Sequence, residues 1–223
     1  MRRTTELPLR AVVFDLDNTL VRCASTDDAV SRIVRRYGAH RNDTALIGQA
    51  TSDWSIVEQC VLPKHRHAAY LEILETNARL AATAECRDGL GDALRLLSRR
   101  YPLFVASGRD RRSIDIVLDV VGFRQLFTDI QPASAYSPCK PDERVLTALL
   151  DRHGILPAEA VYVGDKEVDR ELASRAGVAF IGATLYHDLL TDDVCKVHSA
   201  ADLPRVINDL AATRDAAVAE RAG

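Results

Sequence analysis

Val12-Val13-Phe14-Asp15-Leu16-Asp17-Asn18-Thr19-Leu20 is the stretch on which the reading of this chain turns. Its apolar, β-branched start signals a strand, and Asn18, directly after the second carboxylate, signals a turn. Side chains along a strand alternate with a period of two, so Asp15 and Asp17 set out on one face. Ligands of α/β proteins sit where strand C-termini open into loops. Two carboxylates presented there suit a hard cation, or a nucleophile with an acid/base partner. Taken alone the pair reads as an Asp-rich turn; the rest of the chain removes that reading.

Outward from this stretch, strand and helix signals alternate. Residues 10–16 read as a strand, and from about Arg22 to Glu85 only helical patterns follow. Thr26-Asp27-Asp28 can cap a helix that carries Val30, Ile33 and Val34 and stops at Gly38. A second runs from about Lys64 to Ala84, with Leu71, Leu74, Ala78 and Ala81/Ala82 at helical spacing. Next come a helix with Leu90, Ala93, Leu94 and Leu97 inward, and a strand over 102–106 that ends at Ser107-Gly108-Arg109. Further helices carry Ile114, Val117, Leu118 and Val121, then, after Lys140-Pro141, Val145, Leu146, Leu149 and Leu150. A strand over 160–163 ends at Gly164-Asp165, a helix passes through Leu172 and Ala176, and 178–181 is the last clear strand before an Ala-rich helical tail from Asp202. The alternation implies an α/β fold, Rossmann-like and doubly wound, with a mostly parallel sheet. The helical block interrupts it. The expected division is therefore a core of residues 1–21 and 86–223, with a helical cap domain, 22–85, inserted after the first strand.

Composition excludes several classes. The 223 residues carry a net charge of −3, so no basic field attracts nucleic acid, and aromatics at 5% give no base-stacking surface. The basic start Met1-Arg2-Arg3 runs into Leu7-Pro8 without an apolar signal region, and no apolar run approaches a membrane span. Cys23, Cys60, Cys86, Cys139 and Cys195 are odd in number and never spaced as CxxC, which suits reduced thiols in a cytoplasm and not a disulfide framework or zinc site.

The polar residues at the strand ends belong together. Asp15 and Asp17, then Ser107-Gly108, then Gly164-Asp165 with Asp169 each follow a strand, and Lys140 comes from the segment before a helix. In a parallel sheet the strand C-termini share one edge, so these groups converge. Several carboxylates around one point need a cation, and oxygen ligands favour Mg²⁺. A Lys and a Ser beside it make a site for a tetrahedral dianion.

Asp15-x-Asp17-x-Thr19, Ser107 after an apolar strand, Lys140-Pro141 and Gly164-Asp165-x-x-x-Asp169 resemble, in order, the four motifs of the haloacid dehalogenase-type hydrolase superfamily. The helical insert after the first motif resembles the cap of its phosphoglycolate-phosphatase-like branch. The resemblance implies that Asp15 attacks phosphorus and forms an aspartyl-phosphate, while Asp17 serves as acid and then base. It implies Mg²⁺ between the Asp15 carboxylate, the Asp17 backbone carbonyl and Asp165, with Asp169 holding that shell. Ser107 and Lys140 would bind phosphoryl oxygens, and loop amides near Asn18 and Gly108 would complete the cradle. Dehalogenases of the superfamily lack an Asp at the position of Asp17, and its P-type ATPases have Thr, so Asp17 points to a phosphatase or phosphomutase. Thr19 is more similar to the phosphatases. Two departures stand out: Lys140-Pro141 continues Asp142-Glu143, not x-Pro, and charged Lys166, free to pair with Asp169 or Glu167, follows Asp165.

The expected activity is a Mg²⁺-dependent phosphatase acting on a small phosphorylated metabolite. A phosphomutase, or a non-catalytic protein that binds a phosphorylated ligand or a partner, is the alternative, and pairing of cap helices would allow a homodimer. Other candidates have plainer readings. His65 and His67 lack a third ligand and read as a solvated helix start. Arg35, Arg36, Arg41 and Arg66 in the cap could meet substrate but read as solvated faces, since residues 22–85 balance eight Lys/Arg against eight Asp/Glu. Trp54 reads as cap core or substrate entrance, Arg109 as a surface salt bridge. Cys139 has no catalytic partner in sequence, and Tyr186-His187 could approach the site's edge.

Overall fold

In the computed structural model, which describes residues 7–24, 27–38, 52–135 and 137–222, the opening strand β1 spans Ala11–Phe14 and is buried throughout. Its side chains divide by the period of two. Val12 and Phe14 join one apolar layer with Leu103, Val105, Val161 and Val163, while Ala11 and Val13 join the opposite layer with Phe104, Ala106, Ala160 and Tyr162. A strand apolar on both faces must be covered on both, which a parallel sheet with helices on each side achieves.

Five more strands complete that sheet: β2 (Leu103–Ala106), β3 (Asp129–Gln131), β4 (Ala160–Gly164), β5 (Ala179–Ala183) and β6 (Lys196–Val197). Their order is β3-β2-β1-β4-β5-β6, and every pairing is parallel. Helices α4 (Leu90–Ser98), α5 (Arg111–Val120) and α8 (Leu203–Ala222) supply the first layer, through Leu94, Leu97, Ile114, Leu118 and Ile207 among others. Helices α6 (Arg144–Asp151) and α7 (Glu167–Ala176) supply the second, through Leu146, Leu149, Leu150 and Leu172. The chain leaves β1 toward β2 on one side and later returns to β4 on the other. That reversal opens a crevice beyond the C-terminal ends of β1 and β4.

Between β1 and α4 lies the helical insert: α1 (Asp27–Tyr37), α2 (Asp53–Cys60) and α3 (Arg66–Ala81). It has its own apolar cluster of Val30, Ile33, Val34, Ile56, Val57, Val61, Ala69 and Ile73, against which Trp54 and Tyr70 pack edge to face at 5.3 Å. Gly38 permits this packing, because a Cβ there would stand 2.6 Å from the Val34 carbonyl oxygen and 2.7 Å from that of Cys60. Ser52 and Ser55 cap α2 reciprocally, each side-chain oxygen accepting from the other's amide at 3.1–3.2 Å. The insert enters and leaves through one neck, where Arg22 and Glu85 exchange two backbone hydrogen bonds of 2.8 Å. It rests on the core where α3 packs along α5, fastened by Arg112–Glu75 at 2.7 Å.

Several sequence expectations are corrected. The first strand ends at Phe14, not at residue 16, so Asp15 and Asp17 stand beyond the ladder. Strands β3 and β6 were not foreseen; at three and two residues they carry no readable period. The buried face of α3 is Ala69, Ile73, Thr76, Asn77, Ala78 and Ala81, whereas Leu71 is exposed. Lys64 belongs to a short 3-10 turn ahead of α3. The capping reading at Thr26 and any role of Arg41 lie outside the described residues.

Candidate active site

The segments that follow β1 and β4 bring carboxylates together at the C-terminal edge of the sheet. Asp15 follows β1, with its amide bonded to the Val163 carbonyl of β4 at 2.8 Å. Asp165 follows β4, and Asp169 lies one helical turn further on, in the first turn of α7. One oxygen from each of Asp15, Asp165 and Asp169 can be chosen so that all three lie within 4.8 Å of one another, and all three residues are buried. Asp169 comes this close because residue 164 is glycine: a Cβ there would stand 2.6 Å from the Asp169 Cβ.

Lys140 is the cation within this group. Its Nζ donates to Asp15 Oδ1 at 2.5 Å and to Asp169 Oδ1 at 2.8 Å, with the lysine side chain 7% exposed. The Tyr162 hydroxyl stands 3.0 Å from Asp169 Oδ1 and 3.3 Å from the Ala106 carbonyl, and its ring lies 5.5 Å from the ammonium. One ammonium does not balance three buried carboxylates. Burial, with the repulsion of Asp169 and Asp165, pushes the Asp15 carboxyl up to about 8 despite Lys140. Burial and Asp169 push Asp165 up to about 7. Lys140 is held well above its ordinary value, because its two carboxylates outweigh the cost of burial. Buried oxygens raised for want of positive charge are the donor set that a hard divalent cation requires, so the residues fit such an ion.

Both oxygens of Asp165 face protein partners. Asp165 Oδ2 lies 2.6 Å from His187 Nε2, and Thr19 Oγ1 reaches Asp165 Oδ1 at 3.5 Å, which is long for a hydrogen bond. Burial, with the charges of Lys166 and Arg22, holds the His187 imidazole below its usual value. Tyr186, its neighbour, accepts from the Arg87 amide at 3.1 Å and donates toward the Leu20 carbonyl at 3.2 Å, which ties the segment to the neck.

Asp17 is not one of the three clustered carboxylates. Arg109 grips it with a bidentate fork, Nε to Oδ2 and Nη2 to Oδ1, both 2.7 Å. Burial raises the Asp17 carboxyl, but the guanidinium outweighs it and the group stays below the usual carboxylate range. The Arg109 side chain is 10% exposed, so the surface salt bridge expected of it is instead a buried one, made to the second carboxylate of the opening motif. Ser107, buried at the end of β2, accepts from the Arg109 amide at 3.2 Å, and its own amide donates to the Gln131 carbonyl at 3.1 Å. Gly108 lies between them in the β2–α5 loop. Asn18 takes the left-handed conformation, φ 60°, and its amide donates to the Val21 carbonyl at 2.7 Å, which leaves its side chain as the part able to meet a ligand.

The remaining candidates resolve plainly. Among the described residues Lys166 is exposed and makes no ion pair with Asp169 or Glu167; it acts on Asp17, Asp165 and His187 through its charge alone. His65 packs on Tyr37, and neither it nor His67 joins a metal-ligating group among the described residues. Arg66 binds the Glu58 and Val61 carbonyls at the end of α2, and Arg36 pairs with Glu72. None of the five cysteines is disulfide-bonded. A cavity of about 430 Å³ lined by Leu9, Arg10, Arg100, Pro102, Phe104, His153 and Ile155 lies at the opposite, N-terminal edge of the sheet, away from these carboxylates. No helix among the described residues is long and apolar enough to cross a membrane. Reading from sequence missed Tyr162 and the Arg109–Asp17 fork; a lone tyrosine between valines at a strand end was the only signal for the first.

The family model of the haloacid dehalogenase-like hydrolases matches residues 12–183. A phosphoglycolate phosphatase of Synechococcus elongatus is 29% identical over 188 residues, which cover 79% of this chain and 84% of the relative. A validoxylamine A 7'-phosphate phosphatase of Streptomyces hygroscopicus subsp. limoneus is 26% identical over 195 residues, 80% of this chain and 87% of the relative. In fold, the chain is similar to a solved structure described as a predicted phosphatase from Clostridium acetobutylicum, with a TM-score of 0.72, 18% identity, and coverage of 91% of this chain and all of that one (100%).

Proposed function

This chain belongs to the haloacid dehalogenase-like hydrolases, in the phosphoglycolate-phosphatase-like branch with a helical cap, and from that premise we propose that it is a Mg²⁺-dependent phosphatase of small organic phosphate monoesters. The observation that carries the reading is the buried cluster of Asp15, Asp165 and Asp169 around the Lys140 ammonium at the sheet's switch point. Asp15, Asp165 and Asp169, with the Asp17 backbone carbonyl, would hold the ion. When bound, the cation offsets the charge of the carboxylates and of the phosphoryl group.

An Asp15 oxygen attacks phosphorus, and the bond from phosphorus to the leaving oxygen breaks. Asp17 gives that oxygen its proton. In the second half-reaction Asp17 takes a proton from water, the water oxygen attacks phosphorus, and the bond to Asp15 breaks, releasing inorganic phosphate. Lys140 and Ser107, with Gly108 and Asn18 beside them, bind the phosphoryl oxygens, and Lys140 holds Asp15 in place. Asp169 steadies Lys140 and receives the Tyr162 hydroxyl. The Arg109 fork holds the Asp17 carboxyl below its usual value, so taking up a proton works against the guanidinium in each turnover. The cap, taken as residues 22–85 on a core of 1–21 and 86–223, closes the crevice and excludes water from the first half-reaction. A cytoplasmic setting with reduced thiols belongs to the same reading.

The test is phosphate release from a panel of small phosphate esters, with Mg²⁺ and with EDTA, for the wild type and Asp15→Asn. Metal-dependent release lost in the variant supports the reading. Release that persists in Asp15→Asn, or in EDTA, sinks it.

A further inference from the structure

Where cap meets core, three buried polar atoms have no hydrogen-bond partner among the described residues: Arg109 Nη1, Asp53 Oδ2 and Asn77 Oδ1. Such groups are rare and call for a partner, because burying them unpaired is costly. They come from separate elements. Arg109 belongs to the loop after β2, Asp53 opens α2, and Asn77 lies on α3, the helix that packs along α5. Asn77 is 3% exposed and Arg109 9%. Asn77 Nδ2 donates to Asp53 Oδ1 at 2.8 Å, which fixes the amide and turns an oxygen of each residue away from the bond. The helix that carries Asn77 is bridged by Arg112–Glu75 to the helix that follows Arg109, and the charges of Arg109 and Asp17 both act on the Asp53 carboxyl.

We propose that Asp53, Asn77 and Arg109 form the subsite for the leaving group and select a polyhydroxylated one, such as that of a sugar or cyclitol phosphate. This rests on the phosphatase reading, and it deepens it by naming the substrate class. Asn77 Oδ1 offers only an acceptor and Arg109 Nη1 only a donor. A ligand that satisfies both must present a donor to one and an acceptor to the other. Hydroxyl groups are both donor and acceptor. Burial pushes the Asp53 carboxyl up to about 7, so this group stands between its ionised and protonated forms near neutral pH, and a hydroxyl pairs with either. A carboxylate on the leaving group pairs with Arg109 but meets the Asn77 oxygen, which can only accept. The subsite therefore disfavours a short acid such as phosphoglycolate, although relatives of this chain carry that substrate in their names. A site built to hydrogen-bond hydroxyls rejects an analogue lacking them more strongly than an apolar pocket rejects a misfit.

The test compares sorbitol 6-phosphate and myo-inositol 1-phosphate with 2-phosphoglycolate and phenyl phosphate. Phosphate release is measured for the wild type, Asp53→Asn and Asn77→Leu. The wild type is expected to favour the polyol esters over 2-phosphoglycolate by tenfold or more in kcat/KM, and Asn77→Leu to lower the ratio of polyol ester to phenyl phosphate by about tenfold. Binding of the same esters to Asp15→Asn, followed by calorimetry, gives a readout that needs no turnover. The Asn77→Leu change in that background is expected to weaken polyol esters selectively. If no ester is hydrolysed but the binding preference holds, the phosphatase reading falls and the subsite stands. A preference for 2-phosphoglycolate, or equal losses on every ester in turnover and in binding, overturns the subsite.

Discussion

Cutting the Arg109–Asp17 fork with Arg109→Leu measures what that pair contributes. Breaking a fully buried ion pair costs about 3–5 kcal/mol, and exposed pairs contribute about 0–1 kcal/mol. Arg109 lies at the buried limit with its side chain 10% exposed, but Asp17 keeps 34% of its side chain open, so water can solvate the stranded carboxylate. The expected cost therefore falls between the limits, at about 2 kcal/mol, or a melting temperature lower by about 4–8 °C for a chain of this size. The pH dependence has a fixed sign. The Asp17 carboxyl is lowered in the folded chain, so its contribution is complete above the unfolded value and disappears as pH falls through the folded one. The gap between wild type and variant is then full at pH 7 and closes in acid, below about pH 4.

Differential scanning fluorimetry across pH 3–8 reads this gap directly. A double-mutant cycle with Asp17→Asn isolates the pair from the packing lost with the arginine stem, and a coupling of about 1–2 kcal/mol is expected. The reasoning is refuted if the two proteins melt within 1 °C of each other at pH 7, if the gap widens in acid, or if the coupling is below about 0.5 kcal/mol.

Tyr162→Phe removes the hydroxyl beside Asp169 Oδ1 but leaves Lys140 on that oxygen. It should cost about 1–2 kcal/mol in urea unfolding, and an unchanged midpoint would count against that contact. Gly164→Ala places a methyl group 2.6 Å from the Asp169 Cβ, so it should destabilise by about 1–3 kcal/mol and weaken the thermal stabilisation given by Mg²⁺. A variant as stable and as metal-responsive as the wild type would show that Asp169 yields freely. Magnesium in excess, at a hundred times its dissociation constant, should stabilise the wild type by about 2.7 kcal/mol and Asp165→Asn far less. Equal shifts for both proteins would place the ion elsewhere.

The sheet was legible because its strands are buried on both faces and end abruptly in polar residues. Ala11–Phe14, Leu103–Ala106 and Ala160–Gly164 each read as an uninterrupted apolar run, and a polar residue, Asp15, Ser107 or Asp165, follows each at the same edge of the sheet. Convergence then follows from parallel pairing alone, and so Asp15, Ser107, Asp165 and Asp169 could be grouped before any coordinates. Lys140 follows no strand and came through the resemblance of Lys140-Pro141. Partners were less visible than positions. A guanidinium two residues after Ser107 is chemically the same whether it meets water or Asp17, and only the approach of two loops distinguishes those cases. The short strands β3 and β6 take their conformation from neighbours they pair with, not from their own residues.

Asn77 marks the boundary of what a sequence can reveal about selectivity. Ala69, Ile73, Asn77 and Ala81 recur at steps of four along α3, and all are buried. Phasing that helix on its leucines instead put Leu71 inside and hid the step, and leucine is the more apolar choice. In the fold, Leu71 faces outward with 49% of its surface exposed. A helix between a cap core and a domain seam buries two different faces, and a single apolar stripe describes only one. Helix α3 also buries Thr76 and Asn77, polar residues that a stripe analysis assigns to solvent. The clustered carboxylates Asp15 and Asp165 are fixed by strand ends, which sequence marks with a change from apolar to polar. Asn77, the polar residue of the proposed subsite, lies on a buried helix face, which sequence cannot tell from a wet one until a second element is packed against it.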